Sequence, residues 1–167
     1  MNRLTKIGPI GAFCVVAVAN LALAADLPKE GKYDYTTCFT RTVTYVEYSP
    51  TQSAWSYSEL GKSVSEPPGG MFDGDEVQCL GMTASLEGKR FGNTACAGVA
   101  KDGAKRLSRF WYDAEGKLQR ETIAGTGKYN GMVTTGTVQD VKAPPSMKPG
   151  TQTFDYCNRN VGTYKLK

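Results

Sequence analysis

Histidine does not occur among the 167 residues, and with it go the commonest general base, Ser-His catalytic pairs and mixed Cys/His zinc sites. Cysteine is sparse and no C-x-x-C spacing occurs, so a thiolate metal site has no local seed. Helical periodicity is almost missing. No long run of one charge sign marks a polyanion-binding stripe, because Lys and Arg alternate with Asp and Glu along most segments. These absences argue against a nucleic-acid partner, a metal and a cofactor, and they leave a class of function as the most the residues define.

What is present begins with an export signal. Asn2, Arg3 and Lys6 form a short cationic start, Ile7 to Leu23 is mostly apolar, and Ala22-Leu23-Ala24 supplies small residues where a signal peptidase reads. Pro9 and Asn20 shorten the continuous apolar run below the roughly 20 residues that cross a bilayer, so stable membrane insertion after cleavage is not expected. Cys14 lies in mid-run behind the bulky Phe13, which argues against lipid attachment. We expect residues 1–24 to be removed and residues 25–167 to form one periplasmic or secreted domain. Loss of Arg3 and Lys6 lowers the formal charge of +4 by two.

Beyond the leader, β signals dominate. From Tyr33 to Tyr48 aromatic and β-branched residues alternate with period two, placing Tyr33, Tyr35, Phe39, Arg41, Val43 and Tyr45 on one face and Thr36, Cys38, Thr40, Thr42 and Thr44 on the other. Further strands are expected at Ala54 to Tyr57, Glu76 to Leu86, Thr94 to Ala100, Lys105 to Asp113, Leu118 to Ala124, Val133 to Val141 and Thr151 to Leu166. Asp102-Gly103 suits a tight hairpin turn, and Ser65 to Gly70 and Pro144 to Gly150 read as loops. About eight short-connected strands in a chain this size form either a two-sheet sandwich or a closed barrel. Closure removes the exposed edges that invite aggregation, so the expected fold is all-β, a single antiparallel barrel.

The mature chain keeps Cys38, Cys79, Cys96 and Cys157, an even count that reads as disulfides in an exported protein. Three pairings are possible. In an up-and-down barrel the first and last strands meet, so Cys38 should face Cys157 across the closing seam, while Cys79 and Cys96 sit on consecutive strands.

Gln78-Cys79-Leu80-Gly81, Gly92 to Cys96, Lys101-Asp102-Gly103 with Arg109-Phe110-Trp111, and Gly125-Thr126-Gly127-Lys128-Tyr129-Asn130-Gly131 together resemble a family of small exported bacterial proteins with a calycin-like β-barrel. The last run is also similar to a segment of dirigent proteins and, less closely, allene oxide cyclases. The resemblance spans roughly Glu76 to Gly136 and implies the barrel fold. It assigns no catalytic residue, and where such relatives often carry Asp-Gly-Asp this chain has Asp102-Gly103-Ala104, so no second carboxylate for a cation is implied. Independently of any family, Gly125, Gly127 and Gly131 let the chain turn sharply at a barrel rim while Tyr129 plugs the end of the core.

The residues favour a non-catalytic module, structural or binding an apolar or aromatic small molecule inside the barrel, with Arg41, Tyr45, Arg109 and Trp111 as candidate contacts. Tyr33, Tyr35, Phe39, Trp55, Tyr57, Phe110 and Tyr112 supply further aromatic wall or core. The alternatives are a cyclase- or dirigent-like enzyme using an inward Arg41, Glu47, Arg109 or Glu121, and a barrel acting on other proteins through its Glu66 to Asp75 or Lys142 to Gly150 loops.

Overall fold

Period-two alternation pleats a chain so that one face can be hidden and the other wetted, and this sequence sustains it through eight consecutive segments. The computed structural model describes residues 28–167; the expected leader, its cleavage point and Cys14 lie outside the described residues. The strands are β1 (Glu30–Ser49), β2 (Gln52–Ser65), β3 (Glu76–Leu86), β4 (Lys89–Val99), β5 (Lys105–Tyr112), β6 (Leu118–Gly125), β7 (Met132–Lys142) and β8 (Gly150–Leu166). A single 3-10 turn, Gly127–Tyr129, interrupts them. Neighbours in sequence pair antiparallel, and β8 returns to β1, giving a closed eight-stranded barrel. Among the described residues no helix is long and apolar enough to cross a membrane.

The closing seam is the longest ladder, running from Glu30 opposite Lys165 to Tyr45 opposite Gly150. Within it Cys38 stands directly opposite Cys157, and the two are disulfide-bonded. Cys79 and Cys96 likewise face each other on β3 and β4 and are bonded. The first bridge lies on the outer wall, where Cys38 is exposed, whereas the second is buried inside the barrel. Two such bonds fit an oxidising compartment.

The two ends of the barrel differ. At the end holding the start of β1 and the β2–β3 loop, Tyr33, Tyr35, Met71, Phe72, Tyr129, Met132 and Tyr164 pack into one apolar plug. Phe72 and Tyr129 are both fully buried, and their rings stack with centroids 5.8 Å apart. The Glu66–Asp75 loop, read from sequence as a possible presenting surface, thus folds back into the barrel end, tied by Ser63 N donating to Asp75 O and Gly74 N to Ser63 O, each at 2.9 Å. In the rim segment after β6, Gly127 and Gly131 adopt positive φ as expected. Gly125 does not; a Cβ there would instead collide with the Tyr129 backbone, so close approach explains this glycine.

One seam is thin. β6 and β7 share a single registered pair, Gln119 with Thr137, helped by a 3.0 Å hydrogen bond between the Thr122 and Thr134 hydroxyls. Next to it Gly136 and Gly162 lie opposite each other on β7 and β8, and the Tyr33 hydroxyl crosses them to donate to Thr135 O at 3.2 Å. A Cβ on either glycine would collide with that hydroxyl.

Candidate binding site inside the barrel

In β1, β2, β5 and β8 the inward phase carries polar and charged residues among the aromatics. A cavity of about 60 Å³ is lined by Tyr35, Phe39, Arg41, Glu59, Arg106 and Asn160, among others. This is well below the roughly 300 to 1,000 Å³ of pockets for drug-sized ligands. It therefore suits a small occupant.

In the cavity wall, strand phase aims Arg41 of β1 and Glu59 of β2 at each other, in register. Arg41 Nε donates to Glu59 Oε2 at 2.6 Å, and the Tyr156 hydroxyl donates to the same oxygen at 2.6 Å while accepting from Arg41 Nη2 at 2.5 Å. The guanidinium is held between two rings, 4.1 Å from the Tyr57 centroid and 4.3 Å from that of Tyr156. Burial works against the charge of Arg41, but the Glu59 carboxylate and the Tyr156 and Tyr57 phenols together outweigh it and hold the cation above its ordinary pKa. Burial, then the Glu59 charge, push the Tyr156 phenol well above the usual tyrosine range.

A second buried pair lies nearer the plug. Arg106 Nε donates to Asp75 Oδ2 at 3.0 Å, and the Tyr129 hydroxyl donates to Asp75 Oδ1 at 2.7 Å. Arg106 Nη1 reaches Ser108 Oγ at 3.3 Å. Here too burial, followed by the carboxylate charge, drives the tyrosine pKa upward. Arg106 stays above its ordinary value despite desolvation, through the neighbouring Tyr35 and Asp75. Each pair is therefore hydrogen-bonded on both sides, the condition under which a buried ion pair is tolerated.

Of the contacts expected from sequence, Arg41 lines the cavity. Tyr45 points inward but lies outside the lining, half-buried against Trp55 at 6.2 Å. Arg109 and Trp111 are not brought to the cavity. On β5 the inward phase belongs to Arg106, Ser108 and Phe110, so Arg109 faces out, where it bonds Glu121 at 3.1 Å and stacks over Trp111 at 4.4 Å. Glu121 is thereby removed from the interior as well, and Glu47 is exposed at the rim. The reading missed Glu59, Asp75, Arg106, Arg120 and Tyr156. Glu59 carried a usable signal, since it continues the phase of Trp55 and Tyr57.

Among the described residues the grouping with metal-ligand character is Glu59 with Cys79 and Cys96. Its two sulfurs are bonded to each other, so it offers no thiolate pair. Geometrically the chamber can orient a small molecule between aromatic faces and fixed charges. No protein-family model, no curated protein and no solved structure matches this chain.

Proposed function

We propose that this protein is an exported, non-catalytic binding module that holds one small polar molecule inside its barrel. The observation that carries this reading is the cavity itself, walled by aromatic rings and hydrogen-bonded ion pairs within a barrel plugged at one end by its own side chains. Proteins fill interiors to near crystalline density, so a retained polar void in a small barrel calls for an occupant. The aromatic walls suit a flat or partly apolar body, as the residues led us to expect, but the charges favour a ligand with polar groups over a pure hydrocarbon. The barrel resemblance noted from sequence agrees with this use of the fold and adds no chemistry.

Native mass spectrometry of protein purified from its own compartment tests the reading. We expect one small adduct per chain, released on unfolding; a bare mass in every charge state overturns it. A second reading, catalysis of the cyclase or dirigent kind, is favoured by the inward Glu59 carboxylate. Its Oε2 is already taken by both Arg41 and Tyr156, which leaves it a poor general base.

A further inference from the structure

Strand phase divides the outer wall of the barrel into two unlike halves. On β1 and β8 the outward positions are hydroxyls and charges: Thr40, Thr42 and Thr44 bond across to Asp155, Thr153 and Thr151, and Asp34 pairs with Arg159. On β2, β3 and β4 the same phase is apolar, because the buried members there are Glu59, Ser63, Thr83 and Thr94. Leu60, Leu80, Met82, Leu86, Phe91 and Val99 are between 39 % and 68 % exposed. From Ala54 to Leu60, Gln78 to Ala84 and Phe91 to Ala97, no outward side chain carries a charge.

The register sets large residues beside small ones. Leu80 stands opposite Ala95, Met82 opposite Asn93, Gln78 opposite Ala97 and, with the sizes reversed, Ala84 opposite Phe91. On the other flank Leu80 and Met82 meet only Ser58 and Ser56. Knobs therefore rise from β3 beside hollows on β4, and Phe91 rises from β4 beside a hollow on β3. A second copy turned by a half-rotation about an axis along the β3–β4 seam lays β3 over the partner's β4 and keeps every level matched. Leu80 then enters the hollow at the partner's Ala95, and Phe91 the one at the partner's Ala84. On the flank Leu60 meets the partner's Leu107, which stands at the same level through Gln78 and Ala97. Each contact occurs twice, as a two-fold interface requires.

We propose that this wall is the interface of a two-fold homodimer. Half-exposed apolar side chains of this size show on the order of 100 Å² apiece. The six, with the alanines between them, approach the roughly 800 Å² per partner of a standard interface. They also exceed the about 300 to 600 Å² of the largest apolar patch on a typical monomer. A centre without charge is the composition that interface cores show. The closed barrel offers no strand edge on this wall, so the contact is made by side chains, with the facing strands aligned as in packed sheets. A membrane-spanning barrel would be apolar all round, which the threonines and the Asp34–Arg159 pair of β1 and β8 exclude. A lipid surface would draw on lysine and arginine within the apolar face, and the outward positions of these segments supply neither.

Sedimentation velocity of the oxidised mature protein from about 1 to about 100 µM tests the proposal. We expect a monomer–dimer equilibrium, weakened at least about tenfold in Ala95→Arg and unchanged in the opposite-wall variant Thr153→Arg. A size swap separates this seating from undirected apolar contact. Leu80→Ala empties a hollow and Ala95→Leu sets knob against knob, so each alone should weaken association, whereas both on one chain should restore it to within about threefold. A monomer at about 100 µM, a trimer or open-ended assembly, or tighter association by Ala95→Leu alone would each overturn the proposal. So would a monomer that floats with phosphatidylglycerol vesicles, which would give the wall to a lipid surface. Far-ultraviolet circular dichroism confirms that each variant is folded. Should Ala95→Arg not fold, the swap, which keeps the apolar content of the wall, decides alone. The chamber lies on the other side of these strands, so ligand retention in the native mass spectrum stands or falls separately.

Discussion

Replacing Cys38 and Cys157 together by alanine tests whether the barrel's two ends are pinned where we place them. The residues are 119 apart in sequence, and a cross-link closing a loop of that length restricts the unfolded chain by about 5 kcal/mol on the entropic account. The native state should be little changed, because Cys38 is exposed and the β1–β8 ladder extends on both sides of it. The loss therefore isolates the cross-link. Removing Cys79 and Cys96, only 17 apart and both buried, should release about 3 kcal/mol of loop entropy and add a core-packing loss of its own. Urea unfolding followed by far-ultraviolet circular dichroism reads both. For the seam variant we expect a midpoint shift equivalent to about 3 to 5 kcal/mol, with a larger m-value as the unfolded chain expands. Since small domains are stable by only about 5 to 15 kcal/mol, this variant should stand near the edge of folding. A loss below about 1 kcal/mol would refute the reasoning that the bridge spans nearly the whole barrel.

Two further outcomes follow from the buried charges. Glu59→Ala should cost about 3 to 5 kcal/mol by stranding Arg41 beside Tyr57 and Tyr156, whereas Arg41→Met combined with Glu59→Leu should cost much less; equal losses in denaturant melts would contradict the pair. Tyr129 and Tyr156 hold their protons far above the ordinary tyrosine pKa of 10.0, chiefly through burial and next through Asp75 and Glu59. Their contribution is complete below about pH 10 and lost as the pH climbs beyond it, where the unfolded chain releases protons that the folded one keeps. Spectrophotometric titration should therefore show Tyr129 and Tyr156 ionising only with alkaline unfolding; their ionisation near pH 10 in the folded protein would count against the buried networks.

The strand count, barrel closure and both disulfides were legible because alternation in β1, β3 and β8 is strong and because closure itself dictates which cysteines can meet. The inward face of β1 was readable even to Arg41, since large aromatics mark it. Elsewhere the chamber reverses the usual cue. Glu59, Ser63 and Ser65 are buried while Leu60 and Val64 are exposed, so β2 looked like a short strand around Ala54 to Tyr57 and its second half went unread. On β5 the same reversal placed Trp111 on the expected inner face and hid Arg106, because a polar residue beside Leu107 reads as the solvent side. Asp75 lies just before β3 in a segment read as loop, and only the return of Phe72 into the barrel end gives its carboxylate an interior partner. Periodicity identifies two faces, but which is inside depends on whether the interior is a packed core or a polar chamber.

The central claim is that three arginines project into the barrel, two tied to carboxylates and one held among aromatic rings. Side-chain 15N NMR of the guanidinium Nε–H groups reads this directly. We predict three slowly exchanging resonances, from Arg41, Arg106 and Arg120, set apart from exposed groups such as Arg90. Exchange of all three as fast as Arg90 would contradict an interior built from charge.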